Sequence, residues 1–174
     1  EQSSTVGRRN YAILLLLARL GLRAGETVSL RLEDIDWDNA HLLIRSKKGR
    51  GLARLPLPAD VGQAIARYLK EGRPCCACRN VFVRAAAPHV PLCGSAVISR
   101  IVREAIEKAG VSAPRTGAHV FRHSLATAML GRGASLEEIG QVLRHQDPDT
   151  TAIYAKVELE ALRPLALPWP GGVR

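Results

Sequence analysis

The sequence predicts a mixed α/β domain, mostly α-helical, with a small antiparallel β-sheet near its first third. Three observations carry this prediction. Apolar residues in "RRNYAILLLLARLGLR" are dense enough for a buried helix. The short runs "AHLLIRS" and "LARLPLP" bound a glycine-containing loop, "KKGRG", as the arms of a β-hairpin do. Further on, "SAVISRIVREAIEKA" repeats its apolar residues at helical spacing.

Each element has its own signals. The first helix is expected to stop at Gly21, because glycine adopts the left-handed conformation that ends helices. "AGETVSLRLEDIDWDN" reads as a short second helix followed by a turn rich in Asp and Asn. After the hairpin, "ADVGQAIARYLKEG" is a helix with Asp60 and Gln63 at capping-box spacing. "NVFVR" is expected to supply a third short strand, and the helix from Ser95 to Ala109 ends at Gly110. Three helical pieces follow: "HVFRHSLATAMLGRG", "SLEEIGQVLRH" with a Ser135/Glu138 capping box, and "DTTAIYAKV". Prolines break the tail, "RPLALPWPGGVR", so it is not regular helix.

At 174 residues the chain fits one domain, long enough to bury ~70% of its unfolded surface. The longest apolar run, "YAILLLLA", falls well short of the ~20 residues that span a bilayer. No basic-then-apolar leader precedes it, so the expectation is a cytoplasmic protein with no membrane partner. The chain opens on Glu1 without a methionine, as a piece of a longer protein would.

Charge says more. A net charge of +9 points to a polyanionic partner, usually nucleic acid. Twenty of the 25 basic residues are arginine, whose planar fork suits phosphate, although high genomic GC content enriches arginine as well. Aromatic residues make up only 4%, which argues against a platform for stacking single-stranded bases. Cys75, Cys76, Cys78 and Cys93, even with His89, match no common zinc module, and free thiols in a reducing cytosol are the expectation.

Several small groups carry chemistry. His119 and Arg122 stand three apart in "AHVFRH" and share a helix face. Arg23 and Glu26 in "GLRAGE" are spaced alike, so the acid would either aim the arginine or make a surface ion pair worth little. Lys47, Lys48 and Arg50 sit at a hairpin tip, where basic residues reach a DNA groove or block edge pairing. Tyr154 follows His145 by nine residues in "LRHQDPDTTAIYAKV". Taken singly, each group is more often ordinary surface or core.

Their order and spacing together resemble the tyrosine recombinase (phage integrase) family. The likeness runs through "LGLRAGETVSLRLEDIDW", "KKGRGLARLPLP" and "AHVFRHSLATAMLGRGASLEEIGQVLRHQDPDTTAIYAKV", from about residue 8 to residue 160. It implies a tyrosine recombinase catalytic domain over residues 1–160 and a C-terminal tail over 161–174. Leu165, Leu167 and Trp169 in that tail would dock on a neighbouring protomer or on the domain's own core. On this resemblance, the family's N-terminal core-binding domain is expected to be absent from this chain.

The resemblance assigns roles. Arg23 and Arg122 would clamp the non-bridging oxygens of a phosphodiester, with His145 a further donor, and Tyr154 would attack phosphorus. His119 is implied as base toward Tyr154 and Lys48 as acid toward the departing 5′ oxygen; Lys48, rather than Lys47, precedes the hairpin glycine as in the family. Glu26 would orient its neighbours, and Lys47 and Arg50 would contact DNA. The resemblance implies no metal, no cofactor and no small-molecule substrate. The expected partners are double-stranded DNA and further copies of the protein, assembled as a tetramer on DNA within the nucleoid. Two other classes stay open at this point: a non-catalytic DNA-binding protein on the same scaffold, and a topoisomerase that nicks and reseals one duplex. A cysteine/histidine metal hydrolase is the most distant alternative.

Overall fold

Apolar side chains at i, i+3 and i+4 along the first helix put Ala12, Ile13, Leu16, Leu17 and Leu20 on one buried face. That stripe is the floor of the core in the computed structural model, which describes residues 3–45, 51–112 and 116–144. Helix α1 (Thr5–Leu20) begins where the Ser4 hydroxyl accepts the Gly7 N–H at 3.0 Å. It ends at Gly21, as expected, with φ 57° and its N–H bonded to the Leu17 carbonyl.

Helix α2 (Ala24–Ser29) follows after three residues and runs into a 3-10 turn (Leu32–Asp34). Three strands come next: β1 (Ile35–Asp36), β2 (His41–Arg45) and β3 (Leu52–Pro56), antiparallel in the order β1-β2-β3. Leu42 and Ile44 of β2 alternate into the core, as a half-buried strand requires. The hairpin is as expected, with Arg45 opposite Leu52 and His41 opposite Pro56.

Two expectations are corrected. The third strand is Ile35–Asp36 and not "NVFVR". Val81, Phe82 and Val83 are all buried, and their segment makes only isolated bridges, Arg31 to Asn80 and Val83 to Pro91. Its backbone is used up by loops on both sides, through Val81 N–H to Leu30 O and Leu92 N–H to Phe82 O. The second correction concerns helix α3 (Ala59–Glu71): it is preceded by Pro58, not by Asp60, so the Asp60/Gln63 capping box does not form. Pro58 is itself the N-cap, with φ −59° and ψ 146°, so the helix starts at Ala59 and Asp60 falls inside its first turn. There its carboxylate takes Arg19 Nε at 2.8 Å.

Helix α3 packs on α1 through Val61, Ala64, Ile65 and Tyr68. Tyr68 stacks on Phe82, with ring centroids 5.7 Å apart, and burial pushes its phenol pKa up. Helix α4 (Ser95–Lys108) lies against α2 and adds Ile98, Ile101 and Val102 to the core. Helices α5 (His119–Leu130) and α6 (Leu136–Leu143) complete the described elements, and Ser135 and Glu138 form the expected capping box of α6. The chain divides into two compact units, Glu1–Leu125 and Ala126–Arg174. The expected helix "DTTAIYAKV" and the proline-broken tail lie outside the described residues.

Candidate active site

The sharp corner between α1 and α2 is the centre of the site. Gly21 turns the chain, Leu22 is buried as an anchor, and Arg23 stands at the start of α2 with its side chain half exposed. Glu26, one turn on and buried, uses both carboxylate oxygens on that arginine. Oε2 accepts the Arg23 backbone N–H at 2.8 Å, and Oε1 accepts from Arg23 Nη1 at 3.0 Å. The first bond is half of a capping box; arginine has no acceptor with which to return the other half. Thr27, fully buried, donates its hydroxyl to the Arg23 carbonyl at 3.2 Å. Backbone and guanidinium of Arg23 are thus held together by a single turn.

A second cation reaches the same corner from far along the chain. Arg122 on α5 is buried, and its Nη1 donates to the Gly21 carbonyl at 2.7 Å. The acceptor lies at the C-terminal end of α1, where carbonyls lack intrahelical partners and a cation is favoured. The bond is charge-assisted, and it ties α5 to a point two residues before Arg23.

His119 opens α5, exposed and three residues before Arg122. Its ring folds back over Gly117: a Cβ there would lie 2.8 Å from His119 Cε1 and 3.1 Å from Nδ1. Any larger residue at 117 would displace the imidazole. The ring meets His123 edge-on, with centroids 6.3 Å apart.

Arg23, Glu26 and Arg122 are therefore brought to one corner, and His119 lies on the helix that delivers Arg122. Lys47, Lys48, Arg50, His145 and Tyr154 lie outside the described residues. Sequence reading missed the Gly21 carbonyl as the anchor of Arg122 and Gly117 as the seat of His119. A glycine two residues before the histidine was the one visible signal for the second; nothing local marks the first.

A model of the phage integrase family matches residues 1–160. The chain belongs to the phage integrase family. Among relatives of this integrase-family chain, y4rA of Sinorhizobium fredii, provisionally named an integrase/recombinase, is 53% identical over 171 residues, 98% of this chain and 41% of that protein. Tyrosine recombinase XerC of Bifidobacterium longum is 35% identical over 90% of this chain and 45% of its own length. The integrase-family chain thus spans less than half the length of these two relatives. Its fold matches the XerH site-specific recombinase bound to a palindromic difH substrate in a post-cleavage complex, with a TM-score of 0.80 and 25% identity. That match covers 97% of this chain and 48% of the other.

Proposed function

We propose that this chain is the catalytic part of a site-specific DNA recombinase, which cleaves and rejoins strands through a covalent 3′-phosphotyrosine. The reading serves integration, excision or transposition of a mobile element. Its main support is the 2.7 Å bond from Arg122 to the Gly21 carbonyl, because it draws a buried guanidinium to the corner that carries Arg23. Two arginines at one place suit a phosphodiester, whose equatorial oxygens must be neutralised before a nucleophile can approach.

In this reading Tyr154 Oη attacks phosphorus as His119 takes its proton. The bond from phosphorus to the 5′ oxygen breaks, and Lys48 protonates that oxygen. Arg23, Arg122 and His145 hold the phosphoryl oxygens, and Glu26 keeps Arg23 aimed. Lys47 and Arg50 contact the duplex backbone. The tyrosyl ester conserves the energy of the original bond, so a freed 5′ hydroxyl from a partner strand completes exchange without ATP or a cofactor. Residues 1–160 form the catalytic domain, and residues 161–174 the tail that docks on a neighbouring protomer in a tetramer on double-stranded DNA. The action belongs at the nucleoid; no helix among the described residues is long and apolar enough to cross a membrane.

The test needs no knowledge of the target. Full-length protein is mixed with fragmented genomic DNA from its source, denatured, and protein-bound DNA is recovered. Adducts are expected with wild type and none with Tyr154→Phe, whose DNA affinity stays close to wild type because only one hydroxyl is lost. DNA binding without adducts in the wild type would leave a binding module on a recombinase scaffold.

A further inference from the structure

The cysteine loop after α3 plays no part in the strand-exchange reading, and its geometry is specific. Arg73 follows Gly72 at the end of α3 and gathers the next eight residues around its guanidinium. Nη2 donates to the carbonyls of Cys78 at 2.7 Å and Asn80 at 2.9 Å, and Nε donates to that of Val81 at 3.2 Å. Curled this way, the loop leaves Cys75 exposed and turns Cys76 and Cys78 inward to half-buried positions. Their sulfurs are 2.9 Å apart, and Arg73 Nη2 lies 3.8 Å from Cys78 Sγ. Cys75 stands at C-x-x-C spacing from Cys78, but the sulfur that meets Cys78 is that of Cys76.

We propose that Cys76 and Cys78 form a reversible dithiol–disulfide couple, oxidised by hydroperoxides. Among the described residues no third Cys, His, Asp or Glu joins them in a group that could hold a metal ion, so a bond between the two sulfurs is the chemistry the pair offers. The environment divides the roles. A hydrogen bond from the Cys78 side chain, aided by Arg73, lowers the pKa of Cys76, whereas burial raises that of Cys78. Cys76 is the thiol that attacks and Cys78 the one that resolves.

In the first step Cys76 Sγ attacks one peroxide oxygen, the O–O bond breaks, and the other oxygen leaves as water (or an alcohol) after taking up a proton. Cys76 is then a sulfenic acid. In the second, Cys78 Sγ attacks Cys76 Sγ, the S–O bond breaks, and a second water departs with the Cys78 proton. Two thiols lose two electrons and one peroxide gains them. A small dithiol reverses the change by exchange.

The test treats the full-length chain with hydrogen peroxide, alkylates the remaining thiols with a maleimide and maps the peptides by mass spectrometry. The peptide bearing Cys75, Cys76 and Cys78 should lose the mass of two hydrogens and take up one maleimide. Cys93 should stay fully alkylated, and dithiothreitol should restore all four thiols. Cys75→Ser should still form the bond. Cys78→Ser should instead accumulate a dimedone-reactive sulfenic acid on Cys76. A bond that disappears in Cys75→Ser, one that persists in Cys78→Ser, or Cys93 oxidising as fast as Cys76 would each overturn the couple.

Discussion

Glu26 and Asp34 are two buried carboxylates built alike and used differently. Each accepts the backbone N–H of an arginine three residues earlier, Arg23 at 2.8 Å and Arg31 at 3.0 Å. Each spends its other oxygen on a guanidinium. Glu26 holds the arginine of its own turn, whereas Asp34 reaches across to Arg45 on β2, Nε at 2.9 Å and Nη2 at 2.8 Å. The first arrangement aims a side chain at the corner where Arg122 also arrives. The second staples the turn before β1 to the next strand. The same local bond thus serves a site in one place and a scaffold in the other, and the difference lies in where the second oxygen points. Glu138 is the reference case: its carboxylate accepts Ser135 N–H at 2.7 Å, its own backbone N–H donates to the Ser135 hydroxyl at 3.2 Å in return, and its capping box is complete.

The sharpest break in this comparison comes at the corner itself. Arg122→Lys leaves a single ammonium that cannot both hold the Gly21 carbonyl and fork onto a phosphate. Adduct formation should fall by about 10²–10³-fold, the range for removing a positioned donor from a transition state. A rate within error of wild type would remove Arg122 from the site.

Asp34→Ala tests the scaffold. Losing the stapled guanidinium and the Arg31 N–H bond together should cost ~2–3 kcal/mol in urea unfolding, discounted because Arg45 is half exposed. The folded variant should form adducts at the wild-type rate. An equal loss of rate and stability would make Asp34 part of the site as well.

Glu26→Gln should show the opposite pattern. The amide oxygen still accepts the Arg23 N–H, so stability should drop by only ~1 kcal/mol. Arg23 loses its charged partner, and adduct formation should fall about tenfold, or ~1.4 kcal/mol of transition-state stabilisation. Matched losses in unfolding and rate would turn Glu26 into a second Asp34.

The smallest effect belongs to Glu138. Hydrogen bonds from Ser135, first its backbone N–H and then its hydroxyl, hold the Glu138 pKa below the ordinary carboxylate value. A lowered folded pKa means that the unfolded state binds the proton more readily. The contribution to stability is therefore present above the ordinary carboxylate pKa and is lost as pH falls through the folded value. Amide protection at the start of α6 should decline over that acid range, and Glu138→Gln should flatten the profile.

Much of the fold was legible because its signals are local. The left-handed stop at Gly21, the Ser135/Glu138 box and the helix from Ser95 each depend on residues within a turn or two. The two misreadings failed for the matching reason. "NVFVR" has strand composition, but whether a strand forms depends on finding a partner, and the partners here were loops. Asp60 had the right spacing for a cap, yet the cap is Pro58, two residues earlier, and Asp60 lies inside the first turn.

By itself, the sequence determined which chemical groups exist, where α1 stops, where α4 runs and where α6 begins, and which pairs share a face: Arg23 with Glu26, His119 with Arg122. The family's residue pattern was also written there, since it is a matter of residue type and order. Only the tertiary structure decided that Arg122 would be anchored on the Gly21 carbonyl 101 residues away and that Asp34 would hold Arg45. The physical reason is reach. A bond within one helical turn is set by backbone geometry common to all sequences. A bond between distant segments forms only after core packing has met the entropy of closing the chain between them, and that sum belongs to the whole domain.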